Sequence, residues 1–380
     1  MSVVSNIVLS SRVRRSPYFA ATQRYGCKAY SVYNHMYLPL YYESPEADYW
    51  HLVNGVTLWD VAVERQVEIA GPDAARLVQF LSPRDLSSCA VGQCKYVMMT
   101  DARGGIVNDP VLLKLAEDRF WLSLADSDVL LWAKGIALAG GYDVEVFEPD
   151  VSPLQLQGPL AATVGEALFG AALNDLKYFR FAEFDLDGMP LIVSRTGWSG
   201  ERGYEIYLQN AADGDRLWEV IMEAGRPHGI APATPSAIRR IEGGLLSYGA
   251  DMTLENNPYE MNLGRLVDLE QEADFIGKAA LARIERDGVR RRLVGLSVEG
   301  GREAMAGIER AEVSYDGQAI GRVTSAVYSP GLEQTIALAL VAAEHSDEGT
   351  ALTVRAEGQA GESVRDASVS PLPFVSKKTV

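Results

Sequence analysis

Segments with the alternation of a strand and segments with the apolar spacing of a helix follow one another along this 380-residue chain without a fixed repeat. Residues 119–124 alternate, with Phe120 on one side and Ser123 on the other, which is typical of a half-buried strand. Residues 72–82 carry Leu77 and its neighbours at helical spacing behind a Pro-Asp start, which predicts an amphipathic helix. The pattern therefore predicts a mixed α/β or α+β protein in several lobes.

Two further strands are predicted between residues 190 and 208, as PLIVSRT and YEIYL, joined by the glycine-rich turn GWSGERG. In the second of them the period of two places Tyr204 and Ile206 on one face and Glu205 and Tyr207 on the other. Glu205 and Tyr207 are therefore able to serve one site.

Two helices and a linker complete the local predictions. One helix is capped at Asp126 or Ser127 and ends near Gly140-Gly141. Another begins at Thr234-Pro235 and runs through Gly243-Gly244, where each glycine costs roughly 1 kcal/mol relative to alanine, so we expect another segment to approach the backbone there. Residues 283–292 are charged and predict a linker into a β-rich last domain.

The charge balance and the cysteines limit which partners this protein is expected to bind. Lysine and arginine total 35 against 51 aspartate and glutamate residues, a net charge of -16, which argues against a nucleic-acid-binding surface. Cys27, Cys89 and Cys94 lack metal-ligand spacing and predict reduced thiols. The start lacks a signal-peptide core and no stretch reaches the roughly 20 apolar residues of a membrane span, so we expect a cytoplasmic protein without a membrane partner. The oligomeric state stays open, and a homodimer is compatible with it.

Several common enzyme signatures are missing. The sequence has no GxGxxG after a strand, no GxxxxGK[ST], no HExxH and no GxSxG. The four histidines are scattered, which leaves a Ser/His/Asp triad open without favouring it. No metal is indicated.

Five separated stretches carry the strongest functional signal. They are GGIVNDPVLLK at 104–114, LQLQGP at 154–159, SRTGWSGERGYEIYL at 194–208, RRIEGGLLSYGADM at 239–252 and GRVTSAVYSPGLEQTIALALV at 321–341. Together and in this order they resemble the glycine-cleavage T-protein family, whose members accept a one-carbon unit on tetrahydrofolate. The resemblance covers about residues 55–370.

Within that family the chain looks most similar to the dimethylsulfoniopropionate demethylase branch, on the stretches at 15–19, 30–39 and 58–74. Aminomethyltransferases of the family carry a His-Met pair where this chain has Val63-Glu64-Arg65. The resemblance implies transfer of a methyl group from dimethylsulfoniopropionate to N5 of tetrahydrofolate, giving 5-methyltetrahydrofolate and 3-methylthiopropionate. The alternatives are demethylation of another small methylated donor, glycine-cleavage aminomethyl transfer, and a folate-binding regulator without activity.

The resemblance also implies the architecture. It is an α+β fold of three lobes around a central cavity, with a C-terminal β-rich domain. The expected divisions are a folate-binding lobe of residues 1–55 and 150–230, a second lobe of residues 56–149 and 231–282, and a last domain of residues 283–380.

Two carboxylates match functional positions of the family. Asp109 matches the catalytic carboxylate near N5, where it positions the folate and stabilises positive charge developing during transfer. The alternative for Asp109 is a turn former before Pro110. Glu205 matches the residue that accepts hydrogen bonds from the amino-bearing edge of the pterin. Its alternative is a solvent-facing strand residue.

The same match implies further folate contacts, among them aromatic rings that stack against the folate. For the glutamine among them, the alternative is a buried amide that bonds only to the protein backbone. These positions are Tyr96, Val111, Gln157, Trp198 and Tyr207.

The donor side rests on residue chemistry. A sulfonium is a permanent cation, which aromatic faces hold well in a dry pocket. The substrate-binding candidates are Tyr33, Trp59, Trp121, Ser123 and Arg240, with Tyr37 as a further ring and Arg65 and Lys95 as partners for the substrate carboxylate. The aromatic residues are equally suited to a core, and Arg240 to an ion pair with Glu242 on its helix.

Overall fold

The computed structural model describes residues 10–358 and 361–376. The N-terminal segment 1–9, which was considered above as a possible leader, lies outside the described residues. Among the residues that the structure describes, no helix has the length and apolar character needed to cross a bilayer.

The first large sheet has six strands, antiparallel except for one parallel pair at its edge. Leu154, Leu156 and Ile206 point from it into a core shared with helices Ala161–Phe169 and Gly214–Gly225. In spatial order its strands are Phe181–Leu186, Met189–Ser194, Gly203–Leu208, Ser152–Gln157, Thr57–Asp60 and Ala231–Ala233.

The second sheet has five antiparallel strands, with helices Ala74–Leu81 and Val129–Gly140 on its outer face. Phe120 and Leu122 face these helices and Trp121 faces the other way, so the predicted alternation is confirmed. The prediction of a half-buried strand is wrong, because Trp121 and Ser123 on the second face are buried as well. Both predicted helices are also confirmed. In spatial order the strands are Glu145–Phe147, Gln66–Ala70, Arg119–Ser123, Val111–Ala116 and Gln93–Tyr96.

The two sheets pack face to face through apolar residues of both inner faces. The rings of Trp121 and Tyr207 lie 6.0 Å apart at this contact. This packing brings strands far apart in the sequence onto the two walls of one interior, and the polar residues beside the contact form the candidate site.

The last described domain is a closed six-stranded barrel. Together with the two sheets and helices that precede it, this barrel confirms the predicted α+β fold with a C-terminal β-rich domain. The strands in spatial order are Arg291–Val298, Gln334–Ala342, Gln318–Ser329, Glu312–Tyr315, Ala351–Gly358 and Gly361–Ser370.

Smaller elements connect these bodies. The remaining α-helices are Phe19–Arg24, Pro45–Asn54, Ala237–Glu242 and Lys278–Asp287. Two short hairpins are formed by Ala29–Tyr33 with Met36–Tyr41 and by Met99–Thr100 with Ile106–Asn108. The 3₁₀ turns are Ala171–Asp175, Ala211–Asp213, Arg226–His228, Gly264–Leu266, Gly301–Met305 and Ala343–His345.

The helix predicted from Thr234-Pro235 is shorter than expected. It begins after Ser236, whose side chain accepts a hydrogen bond from Arg239 N, and it ends at Glu242. Gly243 and Gly244 therefore lie beyond the helix, and Gly244 has a φ of 62° that favours glycine. The expected approach of another segment is confirmed, because a Cβ on Gly244 would lie 3.5 Å from Leu372.

Three other local predictions differ from the structure. Strand Thr57–Asp60 pairs with Ser152–Gln157 in the six-stranded sheet, whereas the sequence placed residues 56–149 together in the second lobe. The linker predicted at 283–292 is largely the end of helix Lys278–Asp287 and the start of a barrel strand. Neither Asp126 nor Ser127 caps the following helix, because the Asp126 carboxylate accepts from Asn34 N and the Ser127 hydroxyl donates to Val107 O.

Candidate active site

A row of side chains crosses the five-stranded sheet on its inner face. Tyr96 is paired with Val111, Val111 with Ser123, and Ser123 with Gln66 across neighbouring strands. Residues paired in this way project to the same side of a sheet. Three predicted site residues, Tyr96, Val111 and Ser123, are therefore brought together, although they are separated by up to 27 positions in the sequence.

Asp109 stands immediately before the strand that carries Val111. Its Oδ2 accepts a 2.8 Å hydrogen bond from Tyr96 Oη, and its Oδ1 is buried without a partner among the described residues. Burial raises the pKa of Asp109 to about 7, with repulsion from Asp251 adding to the rise and the Tyr96 hydrogen bond opposing it. The structure thus holds a carboxylate that changes charge near neutral pH.

The turn before Asp109 is held rigidly. Asn108 is fully buried and its side-chain amide donates to Ala125 O at 3.0 Å and Ser127 Oγ at 2.8 Å. Gly105 is needed because a Cβ there would lie inside van der Waals distance of Leu254 O. The hairpin therefore delivers the Asp109 side chain in a defined position.

The opposite wall carries the second predicted carboxylate. Glu205 is 4% exposed, is paired across strands with Gln155 and Ser194, and accepts from Gln155 Nε2 at 2.7 Å and Tyr207 Oη at 3.0 Å. Thr196 donates a third hydrogen bond to it. Burial raises the pKa of Glu205, and these hydrogen bonds oppose the rise. Glu205 is thus an interior residue, and the alternative of a solvent-facing position is wrong.

Glu64 lies between the two walls, in the turn that leads into strand Gln66–Ala70, and no role was predicted for it from the sequence. Its Oε1 lies 3.4 Å from Gln155 Nε2, so a single amide group stands between Glu64 and Glu205. Burial, together with the charge of Glu205, raises the pKa of Glu64 well above its usual range.

Tyr33 stands at the end of strand Ala29–Tyr33. It is half-buried, and burial and then the charges of Asp109, Glu64 and Asp126 raise the pKa of its phenol. The charges of both Asp109 and Glu64 therefore act on the phenol of Tyr33.

Trp198 and Arg240 contact each other at the edge of this region. The Arg240 guanidinium lies 5.8 Å from the centre of the Trp198 ring. It donates to Asp251 Oδ2 and to Ser325 Oγ, both at 2.7 Å. The predicted alternative partner Glu242 is instead bonded to Arg239, because the helix directs neighbouring side chains to different sides.

Four candidates have no accessible surface for a ligand. Trp59 packs with Leu52 and donates to Thr57 Oγ1, and Trp121 donates to Glu68 Oε2. Tyr207 is fully buried at the sheet contact and contributes only its hydroxyl to Glu205. Trp121 and Tyr207 belong to the core because the two sheets close over them, and Trp59 does so because Leu52 of helix Pro45–Asn54 packs against it.

Gln157, the fourth of these candidates, is an internal support. It is fully buried, donates to Thr196 O and Tyr204 O at 3.4 Å, and accepts from Ser199 Oγ at 2.6 Å. The alternative of a buried amide bonded to backbone is confirmed. A Cβ on Gly197 would collide with this amide, which explains why the turn that carries Trp198 is rich in glycine.

The remaining candidates for binding the methyl donor do not converge on one site. Tyr37 is buried against Phe19, at a ring distance of 5.7 Å. Arg65 pairs with Glu148, with Nε 3.1 Å from Oε1. This pair leaves Arg65 committed to a protein carboxylate, and Lys95 stays a prediction.

Three polar residues were missed by sequence reasoning: Glu64, Gln66 and Gln155. Gln155 alternates with Leu154 and Leu156, so the period of two already placed it on the face of Gln157. Glu64 was noticed only as a departure from the aminomethyltransferase pattern. Their convergence depends on the packing of two sheets, which no local pattern reports.

The site has the polarity that a reduced pterin requires. Asp109 Oδ1, Gln66 Oε1 and Gln155 Oε1 are buried acceptors without hydrogen-bond partners among the described residues. An unpartnered buried acceptor costs about 1–3 kcal/mol. A reduced pterin supplies an N5–H donor that fits Asp109 Oδ1, and its 2-amino group and ring N–H supply donors that fit the carboxylate of Glu205. Glu205 would hold the amino-bearing edge and Asp109 would face N5.

A separate cavity of about 590 Å³ lies between residues 243–246, residues 261–265 and the rim of the barrel. None of the predicted site residues lines it. The candidate site is therefore not this cavity but the polar interior between the two sheets.

Comparisons with known proteins agree with this arrangement. Residues 18–271 match the GCVT N-terminal domain, and residues 291–376 match the glycine cleavage T-protein C-terminal barrel domain. The crystal structure of the glycine cleavage system aminomethyltransferase T from Bartonella henselae superposes with a TM-score of 0.85 at 25% identity, covering 96% of this chain and 99% of that chain.

Curated relatives cover nearly the whole chain as well. The dimethylsulfoniopropionate demethylase DmdA of Ruegeria pomeroyi is 44% identical over 351 residues, 92% of this chain and 95% of the relative. An aminomethyltransferase of Halalkalibacterium halodurans is 33% identical over 352 residues, 90% of this chain and 94% of the relative. The chain belongs to the glycine-cleavage T-protein family.

Proposed function

We propose that this protein is a tetrahydrofolate-dependent demethylase that transfers a methyl group from dimethylsulfoniopropionate to N5 of tetrahydrofolate. The observation that carries the proposal is the pair of carboxylates on facing walls, Glu205 and Asp109, with buried acceptor atoms beside them that lack donors. The similarity to a demethylase at 44% identity supports this donor over others.

The transfer forms a carbon–nitrogen bond as the carbon–sulfur bond breaks. The electron pair of the carbon–sulfur bond stays on sulfur, the products are 3-methylthiopropionate and 5-methyltetrahydrofolate, and the proton of N5 is released. Since the leaving group is a neutral thioether, no general acid is needed.

The residues of this chain then have three tasks. Asp109 accepts a hydrogen bond from N5–H and stabilises the positive charge that develops at N5. This role requires the ionised form of Asp109. Glu205 fixes the orientation of the pterin, and Trp198 offers a ring for stacking against the folate. The closed sheet contact at Trp121 and Tyr207 excludes water from one side of the site.

The test uses purified protein, tetrahydrofolate and dimethylsulfoniopropionate carrying deuterated methyl groups. We expect mass spectrometry to detect 5-methyltetrahydrofolate with three deuterium atoms and one equivalent of 3-methylthiopropionate. Unlabelled glycine betaine serves as the comparison donor. Transfer from the betaine but not from the sulfonium would overturn the donor assignment, and ammonia release from an aminomethyl-lipoyl protein would favour the aminomethyltransferase.

The lobes and the location form part of the same proposal. We propose the predicted three-lobe division with strands Thr57–Asp60 and Ala231–Ala233 assigned to the first lobe, because both belong to its sheet. A cytoplasmic location is supported by Cys27, Cys89 and Cys94, which are all free thiols in the structure.

A further inference from the structure

The carboxylate of Glu64 has no positively charged partner among the described residues. Glu64 N is held by Val61 O at 2.9 Å in the turn before strand Gln66–Ala70. The adjacent Arg65 is turned to Glu148. Across the whole described part of the chain no lysine, arginine or histidine forms an ion pair with Glu64, and the charge that acts on its carboxylate is that of another carboxylate, Glu205.

Two buried amide groups beside Glu64 give an independent indication of a ligand. Gln155 is 1% exposed, and its nitrogen serves Glu64 and Glu205 while its oxygen has no donor. Gln66 is fully buried, and its nitrogen donates to Ser123 Oγ at 2.9 Å and to Glu64 O at 2.5 Å while its oxygen also lacks a donor. One carboxylate and two amide oxygens thus accumulate in one place, and no lysine, arginine or histidine of the described residues is paired with them.

The chemistry that would balance this site is that of a cation whose surface is made of methyl groups. The positive charge of a sulfonium is shared with the hydrogens of its methyl groups, and such C–H groups are attracted to carboxylate and amide oxygens. A neighbouring phenol ring adds an electron-rich face. Tyr33 is the ring within electrostatic range of both Glu64 and Asp109.

We propose, building on the methyl transfer above, that Glu64 together with the amide oxygens of Gln155 and Gln66 forms the subsite that holds the charged sulfur of the methyl donor. This subsite selects the cationic donor over the neutral thioether. It is formed by both walls, with Gln66 on the five-stranded sheet that follows Asp109 and Gln155 on the six-stranded sheet, and it directs the methyl group from sulfur towards N5.

The same arrangement gives a reason for product release. Before transfer the ligand is positively charged at sulfur and is attracted to Glu64. After transfer the thioether is neutral at that atom, and the attraction to the carboxylate is lost. Affinity for the product should therefore depend little on the charge at position 64.

The experiment compares Glu64→Gln with the wild type by steady-state kinetics. We expect the KM for dimethylsulfoniopropionate to rise about 10- to 100-fold, as when one member of a partly buried charge pair is neutralised. The inhibition constant of 3-methylthiopropionate should change less than about threefold, since that ligand carries no charge at sulfur. The dissociation constant of tetrahydrofolate should stay unchanged.

Glu68→Gln is the matched control. Glu68 lies on the same strand and face as Gln66, but its carboxylate is already paired with Arg119 at 2.6 Å and with Trp121. We expect this variant to keep the wild-type KM. An unchanged KM in Glu64→Gln, with methyl transfer intact, would overturn the subsite and leave the proposed function standing. A wild-type protein that transfers no methyl group from the sulfonium would overturn both.

A measurement on the wild type avoids dependence on the folding of a variant. 4-Methylpentanoate and protonated N,N-dimethyl-β-alanine share the shape of the donor, and only the second carries a positive charge at the branching atom. We expect the charged compound to inhibit at least about tenfold more strongly, as expected for a carboxylate facing the charge. Equal inhibition by the two compounds would contradict the proposal.

Discussion

The phenol of Tyr96 donates a 2.8 Å hydrogen bond to Asp109 Oδ2, which ties the proposed catalytic carboxylate to the neighbouring strand. The bond favours the ionised carboxylate, whereas burial favours the neutral acid, and the balance gives Asp109 a pKa of about 7. Asp109 therefore changes charge near neutral pH.

The pH dependence of turnover follows directly. If ionised Asp109 stabilises positive charge at N5, kcat should rise with pH and reach half of its plateau near pH 7. Asp109→Ala should lower kcat about 100-fold, the usual loss of one electrostatic stabiliser, while tetrahydrofolate still binds. Stopped-flow single turnovers across pH 5.5–9 measure this. Undiminished turnover in the variant would remove Asp109 from the mechanism.

Tyr96→Phe should shift that profile without abolishing it. Loss of the hydrogen bond removes a contribution that favours ionisation, so the pKa of Asp109 rises and the half-maximal pH should increase by about 0.5–1 unit. Tyr248→Phe is the control, because Tyr248 donates to Ile106 O and not to the carboxylate. A profile that moves equally in both variants would show that the effect is not specific to the Tyr96 bond.

Asp109 also affects stability, with a sign opposite to that of most aspartates. Its folded pKa of about 7 lies above the ordinary value of 3.8, so between these values the folded state binds more protons than the unfolded state. Stability from this group therefore falls as pH rises from about 4 to about 7. Asp109→Asn should raise Tm at pH 8 by about 2 °C or more, with little effect at pH 4.5. Melting curves that differ equally at both pH values would contradict this.

Arg240 links the region before the barrel to the barrel itself. Its guanidinium bonds to Asp251 and to Ser325 of the barrel strand Gln318–Ser329. Arg240→Met leaves Asp251 buried without its cation and should destabilise the protein by about 3 kcal/mol in denaturant unfolding. The control is Arg286→Ala, a fully exposed arginine paired only with Asp287 in the described structure, for which we expect no measurable change.

Two glycine substitutions should act in opposite directions. Gly105→Ala places a Cβ against Leu254 O beside the Asp109 hairpin and should cost about 1–3 kcal/mol through the required backbone shift. Gly135→Ala lies within helix Val129–Gly140 with open space around it and should stabilise by about 1 kcal/mol. Thermal melting of both variants tests this, and a stable Gly105→Ala protein would show that the hairpin tolerates displacement.

Local patterns were a good guide where a residue needs only its neighbours in the sequence. The alternation at 119–124 identified a strand with Trp121 and Ser123 on its inner face, and the spacing of Leu77 identified helix Ala74–Leu81. The same reasoning misjudged Gly243-Gly244, since the end of a helix depends on the conformation of the chain that follows.

The identities of Asp109, Glu205 and the glycine-rich turn, and with them the family, were readable in the chain alone because motif residues and their order are properties of the sequence. The tertiary structure decided which polar side chains meet. Glu64, Gln66 and Gln155 became neighbours, and Trp121 became core, only when two sheets built from distant segments packed face to face. Burial and electrostatic environment arise from that packing. They determine whether a carboxylate is a solvated surface charge or a buried group with a raised pKa.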